Sequence, residues 1–237
     1  MTHRTHFTIV SIACATLLAA PLFAQSTKPT KDTRRAKAHK AKIKAKAKRL
    51  TPKQVVAKNA QTIATIDQNL PKRNVKWGSI VIHHTASEWS TVARIDAYHR
   101  RKFNDPDGIE YHFLIANGKR SPDGLIEMGR WPKQKRSIHL FKPKGYPASI
   151  TISLVGNFHE RKLKKAQYNA LKSLIIGLAE RYNIPNSRIT THTKIDGRLT
   201  VCPGKHFPYK RLMRDIAIER QKSKITAPIK HSAEQKN

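Results

Sequence analysis

Cysteine is nearly absent: the chain of 237 residues holds two, Cys14 and Cys202. Acidic residues are scarce too, 15 against 47 lysines and arginines, for a net charge of +32. A field of that sign suits polyanionic partners such as cell-wall polymers, lipopolysaccharide, anionic lipid surfaces or nucleic acid. Missing as well are a solenoid-type repeat, the cysteine and histidine spacing of a zinc finger, and a recognisable nucleic-acid reading motif. The one marked apolar run, near the N-terminus, falls short of the roughly 20 residues that a membrane-spanning helix needs.

That run has another layout. Residues 1–6 carry one base, Arg4, and no acid; residues 7–18 are mostly apolar, and Ala-Ala-Pro-Leu-Phe-Ala closes at Ala24. This reads as a secretory signal peptide over residues 1–24, cut between Ala24 and Gln25, which leaves no membrane anchor. An exported protein, periplasmic or secreted, is expected. Cys14 then leaves with the signal, and Cys202 has no partner for an intramolecular disulfide. In an oxidising compartment three roles stay open to it: a buried inert thiol, an intermolecular bridge, or a metal ligand.

The charge is unevenly spread. Residues 25–73 carry 15 lysines and arginines against 2 acids, and residues 74–212 carry 25 against 10. Residues 25–50 form a basic low-complexity arm in which lysines from Lys37 to Lys48 alternate mainly with alanine; like charges repel and apolar side chains are too few for a core. The arm serves as a solvated spacer or holds anionic cell-envelope polymers. Residues 51–73 read as a helical linker that packs on the domain or bridges to it, opened by Thr51 as N-cap with Pro52 in the first turn. A single domain over residues 74–220 and a basic tail over 221–237 complete the chain.

Within the domain, Ser79-Ile80-Val81-Ile82 is a β-rich run that ends in His83-His84-Thr85-Ala86-Ser87. A buried strand holds the side chain at its end firmly while presenting it to a cleft. Ser90 opens a helix to about Phe103; residues 110–116, 124–131, 149–155 and 189–191 read as strands, and 162–182 and 208–220 as helices. Strands paired through turns with interspersed helices define an α/β or α+β fold around one sheet. The last short strand delivers His192, and Cys202 follows in Thr200-Val201-Cys202-Pro203-Gly204. Catalytic zinc takes three protein ligands and keeps a fourth position open, so a His83, His192 and Cys202 set has the right count and chemistry. Strand alternation turns His84 away from His83, and His112 away from Tyr111. His99 reads as packing in its helix, and Trp77, Trp89 and Trp131 as core or rim residues.

Five segments together carry a resemblance: Ile80-Val81-Ile82-His83-His84-Thr85-Ala86, Tyr111-His112-Phe113-Leu114-Ile115, Ser153-Leu154-Val155-Gly156-Asn157-Phe158, His192, and Cys202-Pro203-Gly204. In this order they resemble the type-2 N-acetylmuramoyl-L-alanine amidases, the family that includes peptidoglycan recognition proteins and phage amidase-type lysozymes, over about residues 75–212. The resemblance implies a mixed α/β fold, a central mixed sheet flanked by helices. It also implies a Zn2+ ion held by His83, His192 and Cys202, and hydrolysis of the amide between the lactyl group of muramic acid and L-alanine in peptidoglycan. By the same resemblance Tyr111 and Thr200 assist catalysis, with Lys205 as an alternative cationic helper to Thr200, and His139 and Asn157 line the substrate groove. A peptidoglycan-binding module without turnover is the rival reading on the same fold. A polyanion binder acting through the arm is a third, and no specific nucleic-acid partner is expected.

Overall fold

The strand that ends in the paired histidines lies inside the sheet, with a partner on each side. In the computed structural model, which describes residues 50–68, 75–133, 135, 148–196 and 200–226, β1 (Trp77–His84) pairs in parallel with β4 (Ala148–Leu154) and β5 (Ile189–Thr191). β2 (Phe113–Ile115) adds to β4 in parallel, and β3 (Ile126–Met128) closes that side antiparallel to β2. The order is β3-β2-β4-β1-β5, a mixed five-stranded sheet. Ile80, Val81 and Ile82 on β1 and Ile150 and Ile152 on β4 have no exposed surface. A parallel strand covered on both faces has apolar residues in succession instead of in alternation, which is why both runs are legible in the sequence. Parallel pairing also brings the ends of β1, β4 and β5 to one side of the sheet, where open α/β sheets form their sites.

Among the described residues five α-helices accompany the sheet: α1 (Pro52–Ala64), α2 (Val92–Phe103), α3 (Lys165–Arg181), α4 (His192–Asp196) and α5 (Tyr209–Thr226). α3 buries Leu171, Leu174, Ile175 and Leu178, and α5 adds Leu212 and Ile216 to the same core. Thr91 caps α2 in place of Ser90: its hydroxyl accepts the Arg94 N–H at 3.2 Å. α5 continues past residue 220, through Gln221, Lys222 and Lys224, which are good helix formers.

Of the two roles open to the helix after Thr51, packing on the domain or bridging to it, the structure shows the first. Thr51 and Gln54 form a capping box, with the Thr51 N–H donating to Gln54 Oε1 at 2.9 Å and the Gln54 N–H to Thr51 Oγ1 at 3.3 Å. The buried Asn59 amide donates to the Gly124 carbonyl at 2.8 Å and accepts from the Ile126 N–H at 2.9 Å, so α1 is stitched to the outer edge of β3. Beyond α1, Ile66 is buried in the main core and its carbonyl accepts from Trp131 Nε1 at 2.9 Å. Asp67 accepts from Arg181 at 2.9 Å and from the Tyr182 hydroxyl at 2.5 Å.

His112 is sealed in the core, as the alternation from Tyr111 predicts. Its Nδ1 accepts the Thr151 N–H at 2.9 Å, which places the ring proton on Nε2, facing the Lys135 carbonyl at 2.9 Å. Burial lowers its pKa to about 3, with the Lys135 hydrogen bond opposing and Arg130 adding to the shift. The unfolded chain, with an ordinary histidine near 6.5, therefore binds more protons than the folded one between these values, and stability present above 6.5 is lost as pH falls. Acidification from pH 7 to pH 5 is expected to cost about 2 kcal/mol at this residue. Urea unfolding at the two pH values checks it: His112→Gln should show a smaller loss than the wild type, and an equal loss would clear His112 of the effect.

Candidate metal centre

His83 at the end of β1, His192 at the start of α4 immediately after β5, and Cys202 in the following loop bring their donor atoms within 4.8 Å of one another. Cys202 Sγ is 3.8 Å from His83 Nδ1, and the two imidazole centroids are 4.7 Å apart. Ligands bound at 2.0–2.3 Å around tetrahedral zinc stand about 3.3–3.8 Å from each other, so the donors require little adjustment. Burial first, then the neighbouring His192 and His84, holds the His83 pKa well below its usual value. Burial lowers His192 also, against an opposing pull from Asp196. Both imidazoles are thus neutral, with lone pairs to offer. Burial pushes the Cys202 thiol up to about 12, opposed by the His84 N–H. Two neutral imidazoles and a sulfur at this spacing fit a soft, small cation such as zinc.

The surrounding shell fixes the cysteine loop. The His84 backbone N–H donates to Cys202 Sγ at 3.3 Å, while His84 Nδ1 accepts the Phe158 N–H at 3.3 Å; this histidine supports the donors and is not one of them. The Thr193 N–H donates to the Cys202 carbonyl at 2.7 Å, and the Thr193 hydroxyl bonds the same oxygen. Thr200 Oγ1 accepts the Cys202 N–H at 3.0 Å. Gly204, at φ +115°, lies so close to the chain at Phe158 and His159 that a Cβ would stand 2.2 Å from the His159 nitrogen. No side chain fits there, which accounts for glycine after Cys202-Pro203.

Tyr111 stands next to His83, with the ring centroids 5.5 Å apart. Burial, then the nearby Cys202, raises its pKa above the usual phenol value, so its hydroxyl stays protonated as a donor. The strand expected over 110–116 is confined to β2, and the chain before it is held by a buried ionic cluster. Arg130 contacts Asp105 at 2.5 Å and Glu110 at 2.6 Å, and its Nε donates to the Ile109 carbonyl at 2.8 Å. The Arg130 N–H also donates to the Tyr111 carbonyl at 2.8 Å. His99 Nδ1 accepts the Glu110 N–H at 3.0 Å, and the His99 ring lies 5.5 Å from that of Tyr111. Burial alone would raise the Asp105 pKa, yet the Arg130 hydrogen bond overrides it and the carboxyl ends at about 2.

Tyr111 lines a cavity of about 650 Å3 with Thr85, Ser87, Arg94 and Tyr98. Thr200 and Lys205 line a second, of about 320 Å3, with His159, Thr191 and Lys194. The side chain of Asn157 is engaged in its own loop, donating to Glu160 Oε1 at 2.8 Å and accepting the His159 N–H at 3.1 Å. His139 lies outside the described residues. Trp77 and Trp131 are core residues, whereas Trp89 is 50% exposed. Sequence reasoning missed Arg130, Asp105 and Glu110, because charges in the segment before a strand ordinarily face solvent. The one available signal is an arginine lodged between Gly129 and Trp131.

These features define an α/β domain with a three-donor His-His-Cys centre at the ends of its parallel strands. The family model described as N-acetylmuramoyl-L-alanine amidase (Amidase_2) matches residues 73–205, more than half of the chain, and the chain belongs to that family. Peptidoglycan-recognition protein SC2 of Drosophila simulans is 33% identical over 136 residues, covering 54% of this chain and 68% of that protein; its counterpart from Drosophila melanogaster matches equally. Among solved structures, the endolysine N-acetylmuramoyl-L-alanine amidase LysCS from Clostridium intestinale URNW is 30% identical with a TM-score of 0.52. The match spans 61% of this chain and 86% of that one.

Proposed function

We propose that this chain is a zinc-dependent N-acetylmuramoyl-L-alanine amidase, exported to the periplasm or beyond, that hydrolyses the bond between the muramic lactyl group and L-alanine in peptidoglycan. The observation that carries the reading is the convergence of His83, His192 and Cys202 within 4.8 Å. Zinc held there supplies Lewis-acid polarisation of the scissile carbonyl and lowers the pKa of the attacking water toward neutrality.

The chain's own residues supply the rest. The Tyr111 hydroxyl, kept protonated, donates to the negative charge that develops on the carbonyl oxygen, and a donor preorganised for that charge is worth about 3 kcal/mol of barrier. Thr200 uses one lone pair on the Cys202 N–H, so its own O–H remains available to the substrate side. Lys205, on the same cavity, is the alternative cationic helper. The alanine amine leaves after receiving a proton through the site. The basic arm over residues 25–50 raises the concentration of the enzyme at the anionic envelope.

Incubation with purified peptidoglycan, with and without chelator, tests the reading. Free L-alanine amino termini should appear with zinc and disappear on chelation. Binding without release would favour a recognition module, the role printed in the name of the Drosophila relatives. Tyr111→Phe should lower kcat about a hundredfold with KM little changed, because the lost donor acts only on charge that forms in the transition state. Steady-state kinetics on a muramoyl-peptide checks this; a rise in KM at constant kcat would make Tyr111 a binding residue.

A further inference from the structure

Tyr111 lies before β2 begins, so the sheet ladder does not by itself fix its backbone, and one buried side chain gathers the segment that delivers it. Arg130 has no exposed surface. Its Nε donates to the Ile109 carbonyl at 2.8 Å and its Nη2 to the Gly108 carbonyl at 3.1 Å, while Nη2 also meets the Asp105 carboxylate at 2.5 Å and that of Glu110 at 2.6 Å. The backbone of the same residue takes the next position, its N–H donating to the Tyr111 carbonyl at 2.8 Å. A Cβ on Gly129 would collide with that carbonyl oxygen, so glycine is what lets the two segments close to this distance. From the side of α2, His99 Nδ1 accepts the Glu110 N–H at 3.0 Å and the His99 ring lies 5.5 Å from that of Tyr111.

Stability is a weak reason for such a cluster. Two carboxylates and a guanidinium withdrawn from water carry a desolvation cost that their attraction barely offsets, and apolar side chains of similar volume often serve stability as well or better. What the planar guanidinium supplies is geometry: its donors leave in fixed directions, and each one accepted within residues 105–110 removes a freedom from that backbone. The residue that follows the held segment is the one whose ring stands 5.5 Å from that of His83. We infer that Arg130 is a positioning residue for the reaction, acting through Tyr111 by fixing the backbone from which the hydroxyl is aimed at the metal centre. The inference deepens the amidase reading and rests on it. A donor stabilises developing charge only from hydrogen-bond distance, and a displacement of about 1 Å can cost about a hundredfold in rate.

Arg130→Lys in the full chain keeps the positive charge and removes the fork, and two readouts locate its effect. With 3-fluorotyrosine at the 6 tyrosine positions, the Tyr111 fluorine line, assigned by its loss in Tyr111→Phe, should be single in the wild type and shift or split in Arg130→Lys. The lines of Tyr168 and Tyr209, whose hydroxyls bond Asp215 and the Ile189 carbonyl, should stay in place. In steady-state kinetics on a muramoyl-peptide, Arg130→Lys should lower kcat about tenfold with KM little changed. The same substitution added to Tyr111→Phe should cost less than about twofold, because no donor is left to position. A merely structural role would cost the same factor with and without the Tyr111 hydroxyl. An unmoved Tyr111 line, or equal losses in the two backgrounds, would overturn the inference. Should Arg130→Lys fail to fold, Glu110→Gln, which leaves Asp105 and both carbonyls on the guanidinium, carries both measurements with the same expected directions. The fluorine result requires no turnover, whereas failure of the wild type to release L-alanine amino termini would remove the amidase reading itself.

Discussion

Cys202→Ala is expected to leave the chain without bound metal and with at most about one thousandth of its activity on peptidoglycan. A catalytic zinc site rests on three protein ligands, and two histidines alone form an incomplete set. The sulfur of Cys202 lies 3.8 Å from His83 Nδ1, and no other described residue belongs to the donor group. Loss of 4 kcal/mol or more of barrier lowering, about a thousandfold, is the scale expected when a metal's contribution is removed. Metal content after dialysis and release of alanine amino termini are the paired readouts. His84→Ala is the informative neighbour: its ring supports the Phe158 N–H and its backbone N–H, which the substitution keeps, bonds the sulfur. That variant should retain metal and lose far less activity. A Cys202→Ala protein that keeps both metal and rate would remove Cys202 from the site.

A chain beginning at residue 74 is expected to be severely destabilised or unable to fold, even though the family match begins at residue 73. Truncation there discards Val55 and Ile66, which are 4% and 2% exposed, and each such side chain contributes about 1.5–3 kcal/mol by burial. It also leaves Trp131 Nε1, the Ile126 N–H and the Gly124 carbonyl without the partners that α1 and Ile66 provide. Hydrogen bonds of this kind add about 1 kcal/mol each, more where a buried group is stranded. The sum is about 5 kcal/mol or more, comparable to the whole stability of a typical domain. A chain beginning at Leu50 keeps all of these contacts and should melt like the full chain, so the pair of truncations isolates the role of residues 50–73. Equal melting temperatures for the two would reduce α1 to an ornament on the surface. For the same reason the contribution of the basic arm must be measured by cutting at 50.

The fold was legible in the sequence where burial is uniform. Ile80-Val81-Ile82, the run through Ile152 and the α3 stripe read correctly because an apolar side chain at every position or every third to fourth has one physical meaning. The donor set was legible for a different reason. His83 and His192 sit at strand ends, and the order of motifs that carries the family resemblance supplies Cys202, for which the residues alone left three roles open. The spacing of the three carries little, since 119 positions separate the atoms of His83 and Cys202. What stayed hidden depends on contacts between distant segments. Arg130 reaches Asp105 and Glu110 across more than one turn, Asn59 bonds Gly124 and Ile126, at the start of β3, 65 and 67 positions later, and neither pairing leaves a periodic trace. Asn157 shows the converse: a polar residue at the right place in the order of motifs, with its amide committed to Glu160 and His159.

The Asn59 contact has a further consequence at β3, which among the described residues pairs on one side only, with β2. An uncovered outer strand presents a row of backbone donors and acceptors on which the strand of another molecule can add, and sheets must block such templates to remain separate in solution. Here a single amide side chain occupies the Ile126 N–H and the Gly124 carbonyl, and the helix that carries it shields what lies beneath. Asn59 thereby works as a guard against self-association: substitution by leucine would preserve bulk and helix propensity yet reopen the template. Its signature would be concentration-dependent aggregation of a chain that still folds.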